Sequence, residues 1–116
     1  MKYQDNEFDE IDETCLHCLI TDDAQPVATC RAFEKPGESG CWIIGRVAVS
    51  LNYRGQHQGE AVMKAMLSEL VKRGVQEAEL SAQCRAAGFY EKLGFTATGE
   101  THMDEYCPHV TMVKKL

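Results

Sequence analysis

Two short runs in this 116-residue chain hold residues whose types and spacing could do chemistry. The first is RGQHQG, Arg54 to Gly59, which follows an apolar run ending at Ser50 and precedes a helical pattern. A helix N-terminus carries unpaired N–H groups and a partial positive charge, and glycines such as Gly55 and Gly59 let an anion approach the backbone. A pyrophosphate suits that arrangement, although a Gly-bearing turn also opens many helices with no ligand. The second run is GFYEKLGF, Gly88 to Phe95, in which Phe89 and Leu93 share one helical face and Gly94 stops the helix. Tyr90 inside it reads, on its own, as a core aromatic with a polar tip. It is the pairing of the two runs that carries information.

Other reactive side chains point less clearly. Cys15 and Cys18 form a C-x-x-C, a spacing used for zinc or redox work. In an alternating strand these two thiols face opposite sides, so no metal site is expected. His17 and His109 read as structural histidines, but His109 follows Pro108 beside an acidic stretch and stays a candidate base.

The elements that must position these residues follow from periodicity. After an acidic lead-in, residues 14–20 alternate like a short strand, closed by Thr21-Asp22-Asp23. A second strand is predicted over Val27 to Phe33, a turn over 34–40, and a third strand over Trp42 to Ser50, giving an antiparallel meander. Gly45 within the third strand suggests a bulge or a close backbone approach. Val62, Met63, Met66, Leu67, Leu70 and Val71 recur at helical spacing between Gln58 and Arg73, with Gly74 as the stop. A strand over 77–82 then completes a crossover that needs parallel strands. A second helix is expected over Arg85 to Leu93, and two last strands, 95–99 and 109–114, are joined by an acidic loop.

Composition bounds the class. Apolar residues make up 44% of the chain and the formal charge is -6, which fits a globular protein and not a disordered one. No apolar run approaches the ~20 residues of a membrane helix, and the N-terminus does not resemble a signal peptide, so a cytoplasmic protein with reduced cysteines is expected. Lys and Arg are neither abundant nor clustered with aromatics, so neither nucleic acid nor membrane is an expected partner. Residues 1–39 hold ten acids against three bases, while 40–116 hold eight against nine. That asymmetry reads either as a solvated face or as a site for a cationic substrate.

The strand RVAVSLNYRGQHQG, followed by FYEKLGF, resembles the GNAT superfamily of acyl-CoA-dependent N-acyltransferases. SAQCRAAGFYEKLGF and the closing DEYCPHVTM resemble its ElaA-like branch, and the likeness runs over nearly the whole chain. The resemblance implies one α+β domain over 1–116, of the three-layer α/β type, with a mixed, mostly antiparallel sheet, one splayed parallel strand pair and flanking helices. It implies acetyl-CoA as co-substrate and a small-molecule or peptide primary amine as acceptor, joined by direct attack in a ternary complex. By carry-over, Val49 would bond the pantetheine arm and the Val47 amide would face the thioester carbonyl. Gln56, His57, Gln58 and Gly59 would offer amides to the pyrophosphate, with Arg54 and Gly55 beside them. Tyr90 would protonate the departing thiolate, and Glu10, Asp12, Asp104, Glu105 and His109 are the candidate bases.

Three departures qualify the match. His57 stands where the family usually has a glycine, and Glu60 where a small hydroxyl residue is common. Only thirteen residues precede the strand expected at 14, where the family has a strand and two helices that wall the acceptor site. A homodimer that lends the missing wall is therefore expected, and a non-catalytic CoA-binding module is the alternative.

Overall fold

The computed structural model describes residues 4–12, 15–23, 25–38, 40–55, 57–104 and 107–116. Seven strands form one sheet: β1 Gln4–Asp12, β2 Cys15–Asp22, β3 Gln25–Glu34, β4 Cys41–Val49, β5 Glu77–Gln83, β6 Thr96–Asp104 and β7 Cys107–Lys115. Their order is β1-β2-β3-β4-β5-β7-β6, and every neighbouring pair is antiparallel except β4 with β5. Helix α1, Gln58–Lys72, crosses from β4 to β5, and the shorter α2, Ala87–Lys92, links β5 to β6.

Register decides which side chains enter the core. Leu16 lies opposite Ala32, Cys18 opposite Cys30, Ala32 opposite Ile44, and Leu80 opposite Met112, so these residues share one face of the sheet. All are buried, and Val62, Met63, Met66, Leu67 and Leu70 of α1 close over them. Leu93 and Phe95, after α2, join the same cluster, and Tyr90 packs on its edge. Val71 departs from the expected apolar stripe, being 55% exposed, because it lies one position round from the buried Leu70. Both helices end as their glycines predict. Gly74 and Gly94 take φ of 79° and 97°, and the amides of Val75 and Phe95 reach back to the carbonyls of Leu70 and Tyr90 at 3.0 and 3.1 Å.

Several sequence expectations need correction. The acidic lead-in is an edge strand, with Gln4 opposite Asp22 and Phe8 opposite Cys18, and Phe8 packs against the core. Acidic residues on an edge strand discourage pairing with another chain, which is why it does not look like a strand. β2 runs on through Thr21 and Asp22 instead of turning there. The acidic loop expected after residue 99 is largely the β6–β7 hairpin, whose pairing continues to Asp104 opposite Cys107. Cys15 and Cys18 do lie on opposite faces: Cys18 enters the core beside Cys30, while the Cys15 thiol takes a hydrogen bond from Arg31 at 3.3 Å.

Candidate functional site

The site begins where the parallel pair comes apart. β4 and β5 pair only at Cys41 with Glu77, Trp42 with Ala78 and Ile43 with Glu79. Beyond Ile43 the two strands diverge, and each is paired only with its outer neighbour. On the other side of β4 the register shifts, because Arg31 pairs with Gly45 while Thr29 pairs with Ala48. The extra residue is a bulge centred at Arg46, with φ of +53°, rather than at Gly45 as the sequence suggested. Its effect is to reset the alternation, so that Val47 and Val49, and not Ala48, pack toward the helices.

The divergence opens a cleft of about 280 Å³. Gly45, Arg46 and Val47 form one wall, Ser81 and Gln83 the other, and Tyr90 and His109 complete it. Tyr90 is half-buried, with its ring edge-on to Phe89 at 5.0 Å and Phe95 at 6.2 Å. Burial, and secondarily the Cys30 thiol, pushes its hydroxyl above the usual phenol range, so it holds its proton at neutral pH. The structure thus brings Val47, Tyr90 and His109 into one cavity.

The anion-binding candidates stand at the far end of β4. The Ser50 amide donates to the Val27 carbonyl at 2.7 Å, a 3₁₀ turn follows over Leu51–Tyr53, and the Tyr53 hydroxyl donates to Asp22 at 3.2 Å. These bonds fix the turn that carries Arg54 and Gly55, the latter at φ +81°. Arg54 folds back to donate to the Val49 carbonyl at 3.4 Å. Gln56 lies outside the described residues. His57 caps α1 in the left-handed conformation, φ 59° and ψ 25°, which accounts for the glycine usual at this place. The first helical bond runs from the Ala61 amide to the His57 carbonyl at 3.1 Å, so the amides of Gln58, Gly59 and Glu60 have no acceptor within the helix.

A second cleft, of about 380 Å³, separates the first turn of α1 from α2 and is lined by His57, Glu60, Phe89, Lys92 and Leu93. Gly59 lies at the junction of the two helices and β4. A Cβ there would meet Phe89 at 3.5 Å and Val49 at 3.7 Å, which are ordinary van der Waals contacts. Glu60 does not aim its charge at this turn alone: Lys64 lies 3.0 Å away and His57 3.7 Å. Lys64 foremost keeps its pKa below the usual carboxylate range. The buried Oε1 of Gln58 has no donor among the described residues.

Of the candidate bases, Glu105 lies outside the described residues, as do the side chains of Glu10, Asp12 and Asp104. His109 alone can be located. Sequence reading passed over its neighbours His102 and Ser81. A signal existed, since residues 102 and 109 are equidistant from residues 105 and 106 and so pair across a hairpin.

The chain matches the model of the GNAT acetyltransferase domain over residues 3–116. It is 32% identical over 111 residues to the Bacillus subtilis protein YyaT, covering 96% of this chain and 73% of that one. Among solved structures, an acyl-CoA N-acyltransferase from Pseudomonas aeruginosa superposes with a TM-score of 0.78 at 29% identity, covering 86% of this chain and 68% of that one. Escherichia coli ElaA superposes with a TM-score of 0.78 at 26% identity, covering 90% and 74%. Together with the splayed parallel pair and the bulge at Arg46, these matches establish that the chain is an acyltransferase belonging to the GNAT acetyltransferase family.

Proposed function

We propose that this enzyme transfers an acetyl group from acetyl-CoA to a primary amine by direct attack within a ternary complex. The observation that carries the reading is the divergence of β4 from β5 beyond Ile43, which leads from a cleft holding Tyr90 to the free amides of α1. An edge of unpaired backbone suits an amide-bearing arm, which adds to it as a strand would. Val49 bonds that arm, and the unpaired Oε1 of Gln58 is a further acceptor near it. The amides of Gln56 to Gly59, with Arg54 and Gly55 in the same turn, hold the pyrophosphate at the positive end of the helix. The 29%-identical neighbour is itself an acyl-CoA N-acyltransferase, which supports the donor class.

When bound, the thioester supplies an activated acetyl group. The Val47 amide donates a hydrogen bond to the carbonyl oxygen as charge grows there, a stabilisation strengthened where water is excluded. Tyr90, which burial leaves protonated at neutral pH, delivers its proton to the leaving sulfur. Small molecules and peptides both fit the acceptor class. We also propose a cytoplasmic homodimer, because Leu19, Phe33 and Ile43 line a sheet face on which no described helix packs. Sedimentation as a monomer at micromolar concentration would remove the dimer.

Thermal melting in acetyl-CoA tests the cofactor assignment. A ligand at a hundred times its dissociation constant adds about 2.7 kcal/mol to the folded state. A rise in Tm is expected, and a Tm unmoved by millimolar acetyl-CoA would count against the donor.

A further inference from the structure

His109 lines the cleft from β7. It stands on β7 directly opposite Gln83 of β5 on one side and His102 of β6 on the other, and it lines the same cavity as Val47 and Tyr90. Its Nδ1 lies 3.0 Å from the Cys107 carbonyl oxygen. A carbonyl oxygen only accepts, so Nδ1 carries the proton and the neutral ring keeps its lone pair on Nε2. His102 stacks on it with centroids 5.5 Å apart and planes 22° from parallel, and His102 is itself held by Ser81 at 3.2 Å.

We propose that His109 is the general base that removes the proton from the acceptor amine. This rests on the acetyltransferase reading above. Among the described residues lining the cleft, Arg46, Tyr90 and His109 are the charged or titratable ones, with His102 stacked behind. Arg46 cannot accept a proton, Tyr90 holds its own for the leaving sulfur, and no carboxylate is present among those residues. An amine enters largely as its ammonium form at neutral pH. One proton passes from its nitrogen to Nε2 of His109; the C–N bond forms, the C–S bond breaks, and the hydroxyl proton of Tyr90 goes to sulfur. The second proton of the nitrogen returns to the Tyr90 oxygen, and His109 releases its proton to solvent.

The test is His109→Asn, whose amide N–H replaces Nδ1–H toward the Cys107 carbonyl but which has no basic nitrogen. Steady-state rates are followed as loss of thioester absorbance with the best primary amine of a panel, across about pH 6 to 9. kcat/KM for the amine is expected to fall by ~10²-fold or more near neutrality, with acetyl-CoA still raising Tm as in the wild type. The variant's rate should climb with pH as the amine sheds its own proton. His109→Gln, which puts its amide nearer the place of Nε2, should lose activity equally. If either variant keeps the wild-type rate and pH profile, His109 is not the base. A wild-type protein that neither gains stability from acetyl-CoA nor consumes it with any amine would instead overturn the acetyltransferase reading.

Discussion

Replacing His57 by glycine should make the protein more stable, which is unusual for a change to glycine beside a helix. His57 sits at φ 59° and ψ 25°, makes no side-chain capping bond, and its side chain is 87% exposed. An L residue pays roughly 1–2 kcal/mol for the left-handed conformation, a cost that glycine escapes. The extra freedom of glycine in the unfolded chain takes back about 0.5–1 kcal/mol. The contact with Glu60, at 3.7 Å in solvent, adds little. The net gain therefore lies in a range of about 0–1.5 kcal/mol, and its midpoint corresponds to a Tm higher by roughly 2–4 °C for a chain of this size. His57→Ala is the control, because it deletes the imidazole but keeps the Cβ and hence the strain. Thermal melts followed by circular dichroism should rank the glycine variant above both wild type and alanine. A glycine variant no more stable than the alanine variant would refute the left-handed assignment at residue 57. Acetyl-CoA affinity should hold or improve in the glycine variant, since less bulk stands beside the amides proposed to hold the pyrophosphate.

Tyr90→Phe should lower kcat by at least ~10²-fold while leaving the acetyl-CoA dissociation constant nearly unchanged, as calorimetry and steady-state kinetics can separate. The same variant carries a pH signature. Because burial raises the folded-state pKa of Tyr90, the unfolded chain gives up this proton first, so the linked stability is intact below about pH 10 and is lost as pH rises through the higher folded value. Phenylalanine should blunt that alkaline loss in urea melts, and an unchanged alkaline limb would argue against a buried hydroxyl. Gly59→Asp should abolish acetyl-CoA binding by placing bulk and negative charge at the helix terminus, whereas Gly59→Ala, with contacts of 3.5 and 3.7 Å, should still fold; retained affinity in the aspartate variant would move the pyrophosphate elsewhere. Leu70→Ala, at a fully buried position of α1, should cost about 2–5 kcal/mol in chemical denaturation, and a loss under 1 would mean that α1 is not the centre of the core.

The elements that were legible in the sequence are those whose burial leaves a period. α1 shows its apolar face at every turn, and β4, buried at its start and carrying β-branched Ile43, Ile44, Val47 and Val49, reads as a strand at once. The meander, the parallel crossover and the strand–turn–helix at Arg54 to Gly59 follow from these. β1 was not legible because Phe8 and Ile11 are an odd number of residues apart, which breaks the strand period among acids. The ends of β6 and β7 were hidden for a similar reason: in an outer hairpin, residues such as Thr101, His102 and Met103 stay exposed and show no alternation. Gly45 is the residue type in β4 that suggests an irregularity, yet Arg46 takes the positive φ. A bulge is fixed by how β4 must register against β3 and leave β5, and that is a tertiary demand which no local propensity records. The cleft itself could be reached only through the family resemblance. His102, Ser81 and the orientation of His109 emerge from strand pairing alone.

If the cleft between β4 and β5 moves an acetyl group to an amine, as proposed, then turnover of acetyl-CoA reports that step itself. Purified protein saturated with acetyl-CoA is offered a panel of primary amines, from small polyamines to peptide N-termini, and free CoA thiol and acetylated amine are measured together. Equimolar formation of both with at least one amine, lost in Tyr90→Phe, is expected. Stabilisation by acetyl-CoA with no thiol released to any amine would contradict acetyl transfer and leave a CoA-binding module in place of an enzyme.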